Sequence, residues 1–340
     1  MIKPNDTALR LFEILSASGI EAYAVGGFVR DSLMGLPVHD IDFAVSASPE
    51  ETKRLLSPFA KMIDTGLNFG TVTAVFEGVP IELTNFRADC GIKDGRHPQS
   101  VSFVRDIVSD LSRRDFTVNA MAWSPEKGLV DPFGGREDIT KRLVRCVGEP
   151  SLRFEEDALR ILRSLRFMSR LGFRLDDETA KALRQNAFRL KTISRERIFS
   201  ELSGIICGKN ACDTVTEYAD VISVALPELF AGGAFMLKRL PDELHLRFAA
   251  LFKNADDAEN GMFSLKSPRK LRERVVALRR LIPLPDDEKE ILILGIDTPP
   301  EILREAAYWN STGKTADIID RLRMQNAFVS SKNLGIPTQK

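Results

Sequence analysis

Asp40-Ile41-Asp42 places two carboxylates two positions apart. On an extended strand such side chains share one face, while Ile41 turns to the other. Two carboxylates that close repel each other unless a cation lies between them. Hard oxygen ligands suit Mg²⁺, which keeps several waters and completes its shell from substrate phosphates. Taken alone, the pair describes a solvated strand edge better than a metal site. Fourteen residues upstream, Gly26-Gly27 ends a strand-like run and opens a helix-like one. Backbone amides there can approach a phosphate closely, because no Cβ intervenes and a helix N-terminus favours anions. Arg30, one turn further on, can meet a triphosphate with both prongs of its guanidinium. A phosphate cradle, a cation and metal-binding carboxylates together form the kit for two-metal nucleotidyl transfer. One ion activates a 3′-hydroxyl and the other holds the triphosphate. Glu82, in the alternating run Ile81-Glu82-Leu83, is either a third acid or a surface carboxylate.

The elements that must position these groups are short and mixed. Glu21–Val25 reads as a strand, Phe28–Met34 as a helix closed by Gly35, and Asp40–Val45 as a second strand. Gly70–Phe76 and Val79–Asn85 flank Glu77-Gly78, a hairpin signature. Asp89–Ser100 is polar, with two Gly and one Pro, and is expected to be a loop, with Val101–Val104 resuming a strand. Beyond Glu149-Pro150 helical periodicity takes over: Ser151–Leu171, Ile193–Ile206 and the Arg-rich Leu265–Leu281 are helix candidates. Leu281–Pro285 and Thr298–Pro300 are breaks, and the last ~10 residues are expected to fray. The fold class is therefore α+β: a small mixed-sheet head followed by an all-α C-terminal region.

Composition narrows the class of molecule. The chain has 340 residues, 44% hydrophobic and 28% charged, as in a soluble globular protein of two or three domains. This excludes a disordered chain, a collagen and a small disulfide scaffold. No apolar run approaches the ~18 residues of a membrane span, and Met1–Asp6 lacks the apolar core of a signal peptide. Cys90, Cys146, Cys207 and Cys212 fall in no CxxC pair and no zinc spacing, so they read as reduced thiols in a cytoplasmic protein. Three histidines are too few and too scattered for a histidine-based metal hydrolase. Net charge is zero, but residues 1–150 carry 17 Lys+Arg against 21 Asp+Glu, and residues 151–340 carry 31 against 27. A polyanion must then be held by local patches. Residues 266–280 hold seven basic side chains, among them Lys266, Arg269, Lys270, Arg272 and Arg274, against one acid, Glu273. Such a cluster can engage RNA phosphates without reading sequence, or it can be an exposed helix face.

Gly26-Gly27-Phe28-Val29-Arg30-Asp31 followed by His39-Asp40-Ile41-Asp42 resembles the nucleotidyltransferase signature of the DNA polymerase β superfamily. Arg113-Arg114-Asp115-Phe116-Thr117-Val118-Asn119-Ala120-Met121-Ala122 and Asp131-Pro132-Phe133-Gly134-Gly135 resemble the second and third motifs of the class II tRNA CCA-adding enzymes and bacterial poly(A) polymerases. Glu156-Asp157-Ala158-Leu159-Arg160-Ile161-Leu162-Arg163 is similar to their fourth motif, and Ser194-Arg195-Glu196-Arg197-Ile198 to their fifth. Five motifs in order cover residues 21 to about 206; the C-terminal third matches none, and the chain looks short there for this family. In Ser151–Leu171 the residues Ala158, Ile161, Leu162, Leu165 and Met168 form one apolar stripe, and Asp157, Arg160 and Arg163 are expected on the opposite face.

One Asp and one Arg have a definite preference among bases. The carboxylate accepts and the guanidinium donates. Cytosine and adenine each offer an amine beside a bare ring nitrogen; guanine and uracil offer the reverse. A buried mismatch costs roughly 1–3 kcal/mol per unpaired group. The resemblance assigns this base-reading role to Asp157 and Arg160, and implies nucleotide contacts from Gly26, Gly27, Arg30, Arg114, Asn119, Arg163 and Arg166. It implies metal ligation and catalysis by Asp40 and Asp42 with Mg²⁺, and addition of CCA to tRNA from CTP and ATP. Its domains would be a head over 1–148, a base-recognising neck over 149–210, a body over 211–282 and a tail over 283–340. Alternatives are a poly(A) polymerase, an A-adding or a CC-adding enzyme; the last is disfavoured, because the polar loop that such enzymes shorten is intact here. A non-catalytic RNA-binding or nucleotide-sensing protein on the same fold is the alternative of another class. Retention of both Asp40 and Asp42 speaks against it.

Overall fold

The computed structural model describes residues 2, 4–38, 41–66, 70–92, 98–104, 106–310 and 313–328, with the backbone alone for 65–66, 88–92 and 98–103. The chain divides into two compact units, Met1–Ser164 with Phe173–Thr192, and Leu165–Gly172 with Ile193–Lys340.

The first unit runs α1 (Asp6–Ala17), β1 (Ala22–Val25), α2 (Gly27–Leu33), β2 (Asp42–Val45), α3 (Pro49–Leu56), β3 (Ala60–Gly66), β4 (Thr71–Phe76) and β5 (Val79–Asn85). It continues with β6 (Arg87–Ile92), β7 (Pro98–Phe103), α4 (Ile107–Ser112), a 3₁₀ turn at Thr117–Asn119, β8 (Ala122–Ser124), β9 (Gly128–Val130) and α5 (Gly135–Lys141). Then come β10 (Leu143–Val144), α6 (Pro150–Glu156), α7 (Leu159–Leu171), β11 (Arg174–Leu175) and α8 (Asp177–Asn186). A seven-stranded sheet has the order β3-β4-β5-β2-β1-β8-β9. It is mixed: β2 pairs with β5 in parallel, while β1 pairs with β2 antiparallel.

Alternation explains how this sheet is covered. Ala22, Ala24, Phe43 and Val45 pack with Leu11, Phe12, Leu15, Phe28 and Leu56 of the helices on one face. Tyr23, Val25 and Ala44 pack with Phe86, Leu111 and Ala122 on the other. The hairpin between β4 and β5 turns where expected, at Glu77 (φ 51°) and Gly78 (φ 81°). Two left-handed residues are what a two-residue type I′ connection requires.

The described structure corrects three sequence expectations. Asp89–Ser100 is not simply a loop: β6 and β7 pair antiparallel from Arg87↔Phe103 to Ile92↔Pro98. A two-stranded ribbon has no obligatory buried face, so its polar sequence carries no alternation to read. Ser151–Leu171 is two helices rather than one. Asp157 leaves helical geometry (φ −147°, ψ 104°), and its Oδ1 accepts the Leu159 N–H at 3.0 Å. An Asx side chain that satisfies the next helix's orphan amide competes with continuation of the first. The Arg-rich helix begins at Arg269 instead of Leu265, because Pro268 takes the cap position. The apolar stripe of the fourth motif is as expected, with Ala158, Ile161, Leu162, Leu165 and Met168 all buried.

The second unit is helical: α9 (Arg195–Ile206), α10 (Ala211–Glu217), α11 (Ala219–Ala225), α12 (Leu244–Ala250), α13 (Ala255–Ser264), α14 (Arg269–Leu281), α15 (Glu288–Asp297), α16 (Pro300–Ala306) and α17 (Lys314–Met324). The C-terminal end of α7 belongs to it: Ser169 Oγ donates to the Ile205 carbonyl at 2.6 Å. Phe199 and Phe248 stack with centroids 5.6 Å apart. The breaks at Leu281–Pro285 and Thr298–Pro300 separate α14, α15 and α16 as expected; the last ten residues lie outside the described residues. No described helix is long and apolar enough to cross a membrane.

Candidate active site

Gly26 has φ 66° and ψ −126°, a conformation open to glycine and strained for any residue with a Cβ. This turn ends β1 and aims the first amides of α2. Two arginines flank it. A Cβ on Gly26 would stand 3.3 Å from Arg114 Nη1, and one on Gly27 would stand 3.6 Å from Arg30 Nη2. Arg30 also forks onto Asp31, with Nε 2.8 Å from Oδ1 and Nη2 2.9 Å from Oδ2. A triphosphate drawing on this guanidinium would compete with Asp31.

Asp42 is set directly beside the turn. It pairs across β1–β2 with Val25, the residue before Gly26, and it is exposed. On its other side β2 runs parallel to β5 with Phe43 opposite Leu83. Stepping that register back by one residue brings Glu82 alongside Asp42 on the same face, where Glu82 is exposed as well. Asp40 lies outside the described residues, and β2 itself starts at Asp42. Among the described residues no three His, Cys, Asp or Glu side chains converge as a metal site.

A continuous chain of hydrogen bonds leads from the turn to the fourth motif. Arg30 Nη1 donates to Asn119 Oδ1 at 2.6 Å, and Asn119 Nδ2 donates to Asp115 Oδ1 at 3.2 Å. Arg163 of α7 donates to Asp115 Oδ2 through Nε at 2.9 Å and Nη2 at 2.6 Å. Burial of Asp115 opposes its charge. The Arg163 guanidinium, its hydrogen bonds and those of Asn119 outweigh that cost and hold the carboxyl below the usual Asp range. Next to it, Arg160 donates from Nη1 to the Arg153 carbonyl and to Glu156, and from Nη2 to the Arg113 carbonyl at 3.1 Å. Among the described residues its Nε–H and one Nη2–H have no hydrogen-bond acceptor, and those two donors are what a base could meet. Asp157 does not stand three residues before Arg160 on one helix. It caps α7 instead, which leaves its carboxylate at the mouth of that helix.

The third motif is the brace for the second. Asp131 accepts the Gly135 and Arg136 amides at 2.7 and 2.9 Å and so starts α5. Gly135 is buried against the Thr117 carbonyl, and the Thr117 hydroxyl donates to Asp138. Asn119 therefore sits on a turn clamped from one side by α5.

The remaining expected residues lie in the second unit. Arg166 belongs to the second unit, where Nε donates at 2.6 Å to the buried Glu201 of α9. Most of the basic cluster is ion-paired. Lys266 lies off the helix and pairs with Glu196 at 2.8 Å, and Arg272 reaches Glu259 at 3.5 Å. Arg274 forks onto Glu305 at 2.7 and 2.9 Å. Arg269 pairs with Glu273 at 2.7 Å and stays exposed, as does Lys270. Sequence reading missed Asp110 and Glu201, buried acids that hold arginines. For Asp110 a signal existed: Arg113 and Arg114 follow at i+3 and i+4, one helical turn away.

Comparison with known proteins fits this arrangement. A family profile described as "Poly A polymerase head domain" matches residues 22–145. Another, "Probable RNA and SrmB- binding site of polymerase A", matches residues 172–221. The CCA-adding enzyme of Ligilactobacillus salivarius is 37% identical over 293 residues, covering 83% of this chain and 72% of that protein. The chain belongs to the CCA-adding enzyme family. Another member, from Geobacillus thermodenitrificans, is 45% identical over 237 residues, which is 69% of this chain. The match spans only 58% of that relative's length. In the same family, the Bacillus stearothermophilus CCA-adding enzyme solved in complex with CTP superposes with a TM-score of 0.80 at 31% identity, covering 100% of this chain and 90% of that one.

Proposed function

We propose that this protein is a tRNA nucleotidyltransferase that adds C, C and A to the tRNA 3′ end from CTP and ATP, without a nucleic-acid template, releasing pyrophosphate. One arrangement carries this: a glycine turn between two arginines, with Asp42 across the strand, tied by hydrogen bonds to Arg163 on α7. The family relatives bear the name of that activity, and one of them was solved with CTP.

The roles follow from chemistry. Gly26 and Gly27 admit the triphosphate to backbone amides, and Arg30 and Arg114 neutralise it. Asn119 holds Arg30 in place. Asp157 and Arg160 read the base, accepting from the exocyclic amine and donating to the ring nitrogen shared by C and A. Asp40 and Asp42 hold Mg²⁺, with Glu82 as a third acid. The donors present fit a hard cation: Asp42 and Glu82 are exposed, adjacent and offer only oxygen. When bound, the ion supplies charge neutralisation at the triphosphate and a more acidic 3′-hydroxyl. Head, neck, body and tail divide as 1–148, 149–210, 211–282 and 283–340. Arg269 and Lys270 are the exposed contacts of the basic cluster for tRNA phosphates. The enzyme works in the cytoplasm.

Base selection tests the assignment. Asp157→Ala should incorporate UTP and GTP at rates approaching those of CTP and ATP while Mg²⁺ dependence is unchanged. Wild-type base selection in that variant removes the Asp157/Arg160 reading.

A further inference from the structure

Asp110, within α4, has no role in the scheme above, yet its side chain is 1% exposed. A carboxylate at that depth persists only when its charge and lone pairs are matched. Oδ1 accepts Arg113 Nε at 3.1 Å, Arg113 Nη2 at 2.8 Å and the Arg87 backbone N–H at 3.4 Å. Oδ2 accepts Arg114 Nη2 at 3.0 Å and Nε at 3.4 Å. Burial opposes the charge, and the guanidinium groups of Arg114 and Arg113 outweigh it, so the carboxyl stays below its ordinary range and is ionised at neutral pH.

Each arginine is anchored here and acts elsewhere. The far prong of Arg114, Nη1, lies over the Gly26 turn, 3.3 Å from where a Cβ would stand. Arg113 also donates from Nε to the Arg87 carbonyl at 3.1 Å. Its own main-chain carbonyl accepts Arg160 Nη2 at 3.1 Å. One carboxylate thus fixes the cation at the phosphate turn and the backbone that orients the base-reading arginine.

We propose that Asp110 is a positioning residue that sets, through Arg114 and Arg113, the spacing between the grips on the triphosphate end and the base end of the incoming nucleotide. The inference rests on the nucleotide-binding reading of this site. An amide in its place would present an NH₂ to one of the two guanidinium groups, donor against donor, and free that arginine to move.

The test is calorimetric binding of CTP, UTP and inorganic tripolyphosphate to the full chain, with circular dichroism to check the fold. The wild-type protein should prefer CTP to UTP. Asp110→Asn should weaken both CTP and tripolyphosphate at least tenfold and shrink the CTP/UTP preference at least threefold. Arg113→Lys keeps the charge and the main-chain carbonyl but cannot fork onto Asp110. It should shrink the preference while leaving tripolyphosphate affinity within twofold. A folded Asp110→Asn with wild-type affinity and preference overturns the proposal, as does one that loses tripolyphosphate affinity alone. If Asp110→Asn does not fold, an intact preference in Arg113→Lys overturns it. Wild-type protein that binds neither nucleotide instead removes the nucleotide-binding reading beneath it.

Discussion

Replacing Gly135 by alanine adds one methyl group to a buried glycine with no side chain of its own, yet it should disable the proposed nucleotidyl transfer. The φ of Gly135 is not in the left-handed region, so the cost is entirely steric. The new Cβ would stand 2.9 Å from Met121 Cγ and 2.9 Å from the Thr117 carbonyl carbon, and closer still to the Thr117 oxygen. Ordinary carbon contacts begin near 3.5 Å, so the two segments must part by at least ~0.5 Å. Neither side yields easily. The Thr117 oxygen already closes the 3₁₀ turn by accepting the Ala120 N–H at 3.0 Å. On the other side α5 is pinned by Asp131 at its start and by the Arg145–Asp138 pair, 2.8 Å long. Overpacking of this kind costs about 1–3 kcal/mol. At roughly 2–4 °C per kcal/mol for a domain of this size, Tm should fall by about 2–12 °C. The turn that gives way carries Asn119, the link between Arg30 and Asp115. A displacement near 1 Å in such a group lowers turnover on the order of 100-fold. Thermal denaturation and single-nucleotide incorporation at saturating CTP measure the two effects, with exposed Arg136→Ala as the neutral neighbour, expected within about 0.5 kcal/mol of wild type. A Gly135→Ala protein with wild-type Tm and wild-type turnover refutes the bracing role of the third motif.

Three further outcomes are expected. Asp110 and Asp115 have depressed folded pKa values. Their contribution to stability is present above the unfolded value near ~3.9 and is lost as pH falls through the lower folded values. Urea unfolding between pH 7 and pH 3 should show that loss, and it should be smaller in Asp115→Asn. Cys146 is buried, and desolvation pushes its thiol up to about 12. At pH 8.5 the native protein should leave it unmodified by iodoacetamide under conditions that alkylate it in urea, as read by peptide mass. Lys270→Ala should lower the salt slope of RNA binding by about one ion, whereas Arg274→Ala, which breaks the fork onto Glu305, should leave that slope unchanged and lower stability.

How far the sequence carried this picture depends on how local each signal was. Glu77-Gly78 specifies its hairpin because only certain residues take a left-handed φ, and the fourth-motif stripe survives because helical periodicity reports burial directly. Val101–Val104 reads as a strand and lies largely in β7, but the polar run Asp89–Ser100 carries no alternation that would announce the rest of the ribbon. The break at Asp157 depends on one side-chain hydrogen bond to Leu159, and periodicity on either side runs through it undisturbed. Pro268 was a readable stop, overridden by the charge pattern around it. The ion pairs within the basic cluster have a tertiary origin: Glu196, Glu259 and Glu305, distant in sequence, fold against Lys266, Arg272 and Arg274. Likewise nothing local announces that Asn119 joins Arg30 to Asp115, a link that only the packed first unit creates.

The most direct measurement is the sequence of the product's 3′ end. A tRNA transcript lacking its last three nucleotides, incubated with this protein, Mg²⁺ and all four nucleoside triphosphates, should be extended by C, C and A and then stop. Asp42→Ala should abolish that extension. A homopolymeric A tail, or extension that survives Asp42→Ala at the wild-type rate, contradicts the account.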